Sequence, residues 1–136
     1  MKNSGHFDLN LQATHNENNS STILGDSFQN LAGTAADPRW VTRFDAAYSI
    51  DAWRVTYELY YLPHTLAQFG ATPENSANPE LSSNIEQSIS AQYAFNDNWV
   101  VRGGVTNFMN TKPSYPTLSY GDVLGRRFFL GINIKY

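Results

Sequence analysis

The chain has no cysteine, which excludes a disulfide scaffold and any thiolate metal site. No stretch reaches the ~18 consecutive apolar residues of a membrane-spanning helix, so no such helix is expected. Residues Met1 to His6 contain no apolar segment of the secretory-leader kind, so no signal peptide is expected here. Charge of one sign is also scarce. Nine Lys and Arg against twelve Asp and Glu leave a formal charge of -3, which gives no reason to expect nucleic acid as a partner. The three histidines, His6, His15 and His64, lack metal-ligand spacing, and neither a metal nor a cofactor is expected. Gly25-Asp26-Ser27-Phe28 has the opening of a serine-hydrolase motif. A serine nucleophile needs a held histidine base, and no histidine here stands in an Asp-x-x-His setting. The motif therefore reads as a turn, and no enzymatic activity is expected.

Several other features have bland readings. Asn19-Ser20-Ser21 matches a glycosylation sequon, a pattern that also occurs by chance. Gly103-Gly104 lacks the context of a phosphate cradle and reads as close strand packing. Glu17, Asp26, Asp37, Glu74, Glu80 and Asp122 make the segments between strands acidic, which solvates them or attracts a cation or basic ligand.

What is present is strict alternation. In the last eleven residues, Phe128, Leu130, Ile132, Ile134 and Tyr136 share one face, while Arg127, Phe129, Gly131, Asn133 and Lys135 share the other. Trp53 to Tyr61 sorts the same way, with Trp53, Val55, Tyr57, Leu59 and Tyr61 opposite Arg54, Thr56, Glu58 and Tyr60. From Arg39 to Tyr48, the apolar row Trp40, Phe44, Ala46 and Tyr48 includes Thr42 and opposes Arg39, Arg43 and Asp45. Phe7, Leu9, Leu11 and Ala13 oppose Asp8, Asn10, Gln12 and Thr14. Between Ile85 and Phe95, the row Ile89, Ala91, Tyr93 and Phe95 opposes Glu86, Ser88, Ser90 and Gln92, with Gln87 intruding on the apolar side. From Trp99 to Phe108, the face away from Arg102 carries Trp99, Val101, Gly103 and Val105.

These segments predict an all-β chain of about six antiparallel strands, near the ~9–11 residues that cross a bilayer at a tilt. A composition of 41% hydrophobic residues and a mean hydropathy of -0.43 suits a transmembrane β-barrel segment with a polar interior. Residues 49–52 and 96–98 form short turns, whereas 16–38, 62–84 and 109–125 are long and rich in Asn, Ser, Thr, Gly and Pro. Short periplasmic turns and long extracellular loops have that contrast. Tyr48, Trp53, Tyr93, Phe95, Trp99 and Tyr136 then fall at the short-turn rim, and Trp40, Tyr61, Phe108 and Phe128 at the other, as two aromatic girdles would.

The ending from Gly125-Arg126-Arg127-Phe128-Phe129-Leu130-Gly131 to a terminal aromatic resembles the closing strand of TonB-dependent outer-membrane receptors. Trp99-Val100-Val101-Arg102-Gly103-Gly104-Val105-Thr106-Asn107-Phe108, followed by Lys112-Pro113, is similar to their penultimate strand, and Asp37-Pro38-Arg39-Trp40 also has a counterpart. Asn107-Phe108-Met109-Asn110 departs from the family's usual Asn-Leu-Phe-Asp while keeping a ring and an asparagine, and Tyr136 replaces the commoner Phe. The resemblance implies roughly the last six strands of a 22-stranded barrel. It further implies a location in the bacterial outer membrane and energy-coupled uptake of a scarce nutrient such as a siderophore, cobalamin or a saccharide. Plug domain and energy-coupling box are absent from the sequence, which reads as a fragment.

The implied partners are outer-membrane lipid, the remaining barrel and plug, the barrel-assembly machinery and, through the missing part, an inner-membrane energy-coupling protein. Arg39, Arg43, Asp45, Arg54, Glu58, Glu86, Arg102, Arg127 and Lys135, with Asp8, are expected to face the lumen, where they either dock a plug or ligand or pair into cross-strand bridges. The terminal row Phe128, Leu130, Ile132, Ile134 and Tyr136 resembles the signal read by the assembly machinery. A second reading is a non-transporting small outer-membrane protein, or a soluble lipocalin-like module whose apolar row points inward.

Overall fold

The computed structural model describes residues 4–21, 28–115 and 120–135. Tyr136 and residues 25–27 of the serine motif lie outside them. The described strands are β1 (His6–His15), β2 (Ser20–Ser21), β3 (Gln29–Asn30), β4 (Trp40–Ile50), β5 (Trp53–Leu62), β6 (Thr65–Leu66), β7 (Glu80–Leu81), β8 (Asn84–Ala94), β9 (Trp99–Thr106) and β10 (Arg127–Ile134). Six of them form one antiparallel sheet in the order β1-β4-β5-β8-β9-β10, and the described residues contain no helix. The fold is all-β, as the alternation predicts, and the sheet is open: β1 and β10 each have a single strand neighbour.

Local chemistry places the ends of the strands. Ile50 pairs with Trp53 across a turn of only Asp51 and Ala52, tighter than the four residues the sequence suggests. Asp51 adopts a positive φ of 51°, which short polar residues tolerate and hairpin turns require. At the second short turn the Asn96 side-chain oxygen accepts the backbone N–H of Asn98 and of Trp99, each at 2.9 Å. β9 stops at Thr106, two residues short of the predicted Phe108, because Asn107 turns left-handed (φ 46°). Its buried amide then closes the bend, donating to the Thr111 carbonyl and accepting the Thr111 N–H, both at 2.8 Å.

Register matters more than strand count. Residues directly opposite in an antiparallel pair share a face. Leu9 lies opposite Ala46, Ala46 opposite Tyr57, Tyr57 opposite Ile89, Ile89 opposite Val105, and Val105 opposite Phe128. One apolar row therefore continues across all six strands, and a second, from Phe7 through Tyr48, Val55, Ala91 and Gly103 to Leu130, does the same. Gln87, the polar intruder, sits opposite Leu59 and its amide oxygen accepts the Tyr57 hydroxyl at 2.8 Å on the apolar face.

The buried apolar cluster is elsewhere. Leu62, Leu81 and Tyr120 pack together with Ala35, Val41 and Ala67 against them, all at the long-loop end. Leu62 and Val41 belong to the polar parity of their strands, so the loops fold over that face at one rim. The β6–β7 pair and the parallel bridge between Thr34 and Leu66 fasten them there.

Candidate functional site

The polar face is built from the second parity of the same strands, and its ionic groups are organised from strand to strand. Arg43 on β4 reaches Asp45 two residues along and Glu58 on β5, each at 3.1 Å. Asp45 also accepts the Asn10 amide of β1 at 3.2 Å. Arg54 of β5 spans β4 to Asp8 of β1 at 2.9 Å and donates to Ser49 at 3.1 Å on the way. Small side chains on β4 make the crossing possible: Ala47 stands directly opposite Asp8. These pairs are largely solvent-exposed, so each adds little stability alone; what they impose is a fixed relative position of three strands.

Toward β10 the pattern changes. Arg127 does not meet a strand carboxylate; it bonds Asp122 of the preceding loop at 3.0 Å and the Thr106 hydroxyl at 3.2 Å. Arg102 covers the ring of Phe129 at 5.6 Å, a cation–π contact. Phe129 in turn lies on Gly104, where a Cβ would come within 2.8 Å of the ring and 2.6 Å of the Ile89 carbonyl. The glycine pair thus serves close packing at Gly104. Glu86, opposite Tyr60, borders a recess of about 200 Å³ with Arg43, Glu58 and Ser88. Lys135 lies one residue beyond β10, its N–H donating to the Asn98 carbonyl at 2.9 Å.

Arg39 departs from the expected ladder. It precedes β4 and stands against Gly33 in the loop cluster, because the chain leaves regular pairing with β5 above Thr42. The histidines are dispersed: His6 contacts Asp8 at 2.7 Å, His15 stacks on Trp40 at 4.3 Å, and His64 meets Glu80 at 3.1 Å. Among the described residues no three His, Asp or Glu side chains converge as metal ligands.

The loop rim contains what the alternation could not show. Tyr120 is buried and donates its hydroxyl to the Pro63 carbonyl, and loss of hydration pushes its pKa up to about 12. Asn84 is also buried, its amide donating to the Lys112 carbonyl at 2.8 Å. Nothing in the spacing of Tyr115 and Tyr120, or of Met109, Leu118, Val123 and Leu124, marks Tyr120 as the buried member of this segment.

The apolar face carries the terminal row. Phe128, Leu130, Ile132 and Ile134 are exposed along the β10 edge. At the short-turn rim, Phe7 meets Tyr48 at 4.5 Å, Trp53 meets Tyr93 at 4.7 Å, and Tyr93 meets Phe95 edge-on at 4.7 Å. No family model, curated protein or solved structure matches this chain.

Proposed function

We propose that this sheet is a wall segment of an outer-membrane transport barrel of the TonB-dependent kind, which takes up a scarce nutrient with energy delivered from the inner membrane. The observation that carries the reading is the register. Five successive pairings keep one parity apolar, so the strands present a single apolar surface with its aromatics concentrated at the short-turn rim. Removing a large apolar side chain from water is worth ~1.5–3 kcal/mol, and lipid is the solvent that would supply it to a whole sheet face.

The opposite face then borders a polar interior, filled by water or a plug, where the Arg43, Arg54 and Arg127 networks stiffen the wall. The unpaired edges of β1 and β10 need further strands, since lipid offers no hydrogen-bond partner to backbone groups. These come from the rest of the barrel or from a second chain. The row ending at Tyr136 is the recognition signal for the assembly machinery, and its exposed edge suits strand addition.

Two measurements test the reading. In variants whose native tryptophans are replaced by Phe, Ile132→Trp and Leu59→Trp should be quenched by brominated acyl chains after reconstitution into vesicles, and Asn133→Trp and Thr56→Trp should not. Disrupting the coding region in the cell should lower uptake of one limiting nutrient, with recovery on complementation. Absence of quenching on either face would favour a soluble binding module. Quenching without any uptake defect would favour a non-transporting outer-membrane protein.

A further inference from the structure

Arg43, Arg54 and Arg127 hold carboxylates, and Arg102 covers a ring. Arg39 and Arg126 are exposed and form no ion pair among the described residues. Arg39 stands at a cavity of about 390 Å³ between the start of β4 and the segment Pro63–Leu66.

The fold explains the opening. β4 pairs with β1 up to Trp40 but with β5 only as far as Thr42 opposite Tyr61, so the strands part at the rim. Residues 31–37 enter this fork and are held firmly. The Ala35 N–H donates to the Leu66 carbonyl at 2.8 Å, the Leu66 N–H to the Gly33 carbonyl at 3.2 Å, and the Thr65 hydroxyl to the same carbonyl at 2.7 Å. Gly33 adopts a φ of +93°, and a Cβ there would stand 3.0 Å from the Arg39 Nε. Glycine supplies a backbone conformation other residues avoid and leaves room beside the guanidinium. Trp40, on which His15 stacks at 4.3 Å, lines the cavity together with Pro63 and Leu66. His64, the other titratable group at the cavity, is engaged by Glu80.

A guanidinium that forms no ion pair among the described residues, at a cavity that Trp40 and Leu66 also line, matches an amphiphilic anion. We propose that this cavity binds a small oxyanion, phosphate or carboxylate, carried on an apolar or ring-bearing body. Arg39 holds the anion, and Trp40 and Leu66 hold the body. Arg39, Pro63 and Leu66 belong to the loop rim, while Trp40 stands at the end of the apolar row of β4.

Phenyl phosphate is the first probe, titrated calorimetrically against the whole chain in neutral detergent. Binding should be saturable and tighter than that of inorganic phosphate. Arg39→Gln should weaken it at least tenfold, and Trp40→Leu should weaken phenyl phosphate severalfold while leaving inorganic phosphate unchanged. Arg126→Gln, an equal change of charge on a distant exposed loop residue, should have no effect. In the unaltered protein the indole N–H resonance of Trp40, assigned with Trp40→Phe, should shift during the titration, which keeps the test independent of any variant's folding.

Vesicles of phosphatidylglycerol, against phosphatidylcholine, separate the sources. Displacement of phenyl phosphate by the anionic lipid assigns the site to a headgroup, and failure to displace it assigns the site to a dissolved ligand. No saturable binding, equal loss in Arg39→Gln and Arg126→Gln, or a resonance shift at Trp53 or Trp99 without Trp40 would overturn the proposal.

Discussion

The sheet and the loop cluster use apolar side chains in opposite ways. On β10, Phe128 and Leu130 are each 76% exposed, whereas in the loops Leu81 is fully buried and Tyr120 is 1% exposed. The strands carry the regular hydrophobic pattern and bury little; the loops look polar and contain the packed cluster. Periodicity reports which side chains share a face, not which face is covered. A sheet face becomes a core only when a second layer lies on it, and among the described residues none lies on the apolar face. Packed loops bury polar groups together with partners: Thr34, Thr65 and Asn107 are buried and hydrogen-bonded through their side chains, and Asn84 through its amide N–H, while its Oδ1 has no partner among the described residues.

Leu81→Ala should separate the sheet from the loop cluster most strongly. Truncating a fully buried Leu should cost ~2–5 kcal/mol, read as a lower urea midpoint for protection of the loops from proteolysis. The same truncation at Leu130 should leave that midpoint unchanged. An equal effect at both positions would mean that the loop cluster is not a separate packed unit.

Charge placement sharpens the contrast between the faces. Ile132→Arg should cost ~2–4 kcal/mol when the sheet is in lipid, and Asn133→Arg should be nearly neutral. Folded fraction by heat-modifiable gel mobility measures both, and equal sensitivity would remove the membrane reading. Asn107→Ala leaves the Thr111 N–H and carbonyl without their partner and should cost ~1–3 kcal/mol, seen as faster hydrogen exchange at Thr111.

The loop cluster should also respond to alkali. Burial raises the Tyr120 pKa from 10.0 to about 12, so the fold favours its neutral form. The stabilisation is complete below pH 10 and is lost as pH rises toward 12. Absorbance at 295 nm should show a late-titrating tyrosine that is missing in Tyr120→Phe, and loop protection should fall over the same interval. The smallest effect belongs to the polar face. Because both partners are largely exposed, Arg54→Gln should change stability by less than ~1 kcal/mol, and Asp8→Asn in the same chain should add almost nothing further.

Much of the sheet was legible because alternation is a local property. The positions of the six long strands, the residues sharing each face and the two short turns follow from neighbours along the chain, where side-chain direction repeats every two residues. Exact strand ends followed less well, since Asp51 and Asn107 stop strands by adopting positive φ, which their residue types permit without requiring. What joins distant segments was decided only in three dimensions. Arg54 reaches a carboxylate 46 residues away, the Tyr120 hydroxyl a carbonyl 57 residues away, and Arg39 leaves the strand row to stand beside Gly33. Such partners depend on register and on how the loops fold back over the rim, and neither is encoded by any repeat along the chain.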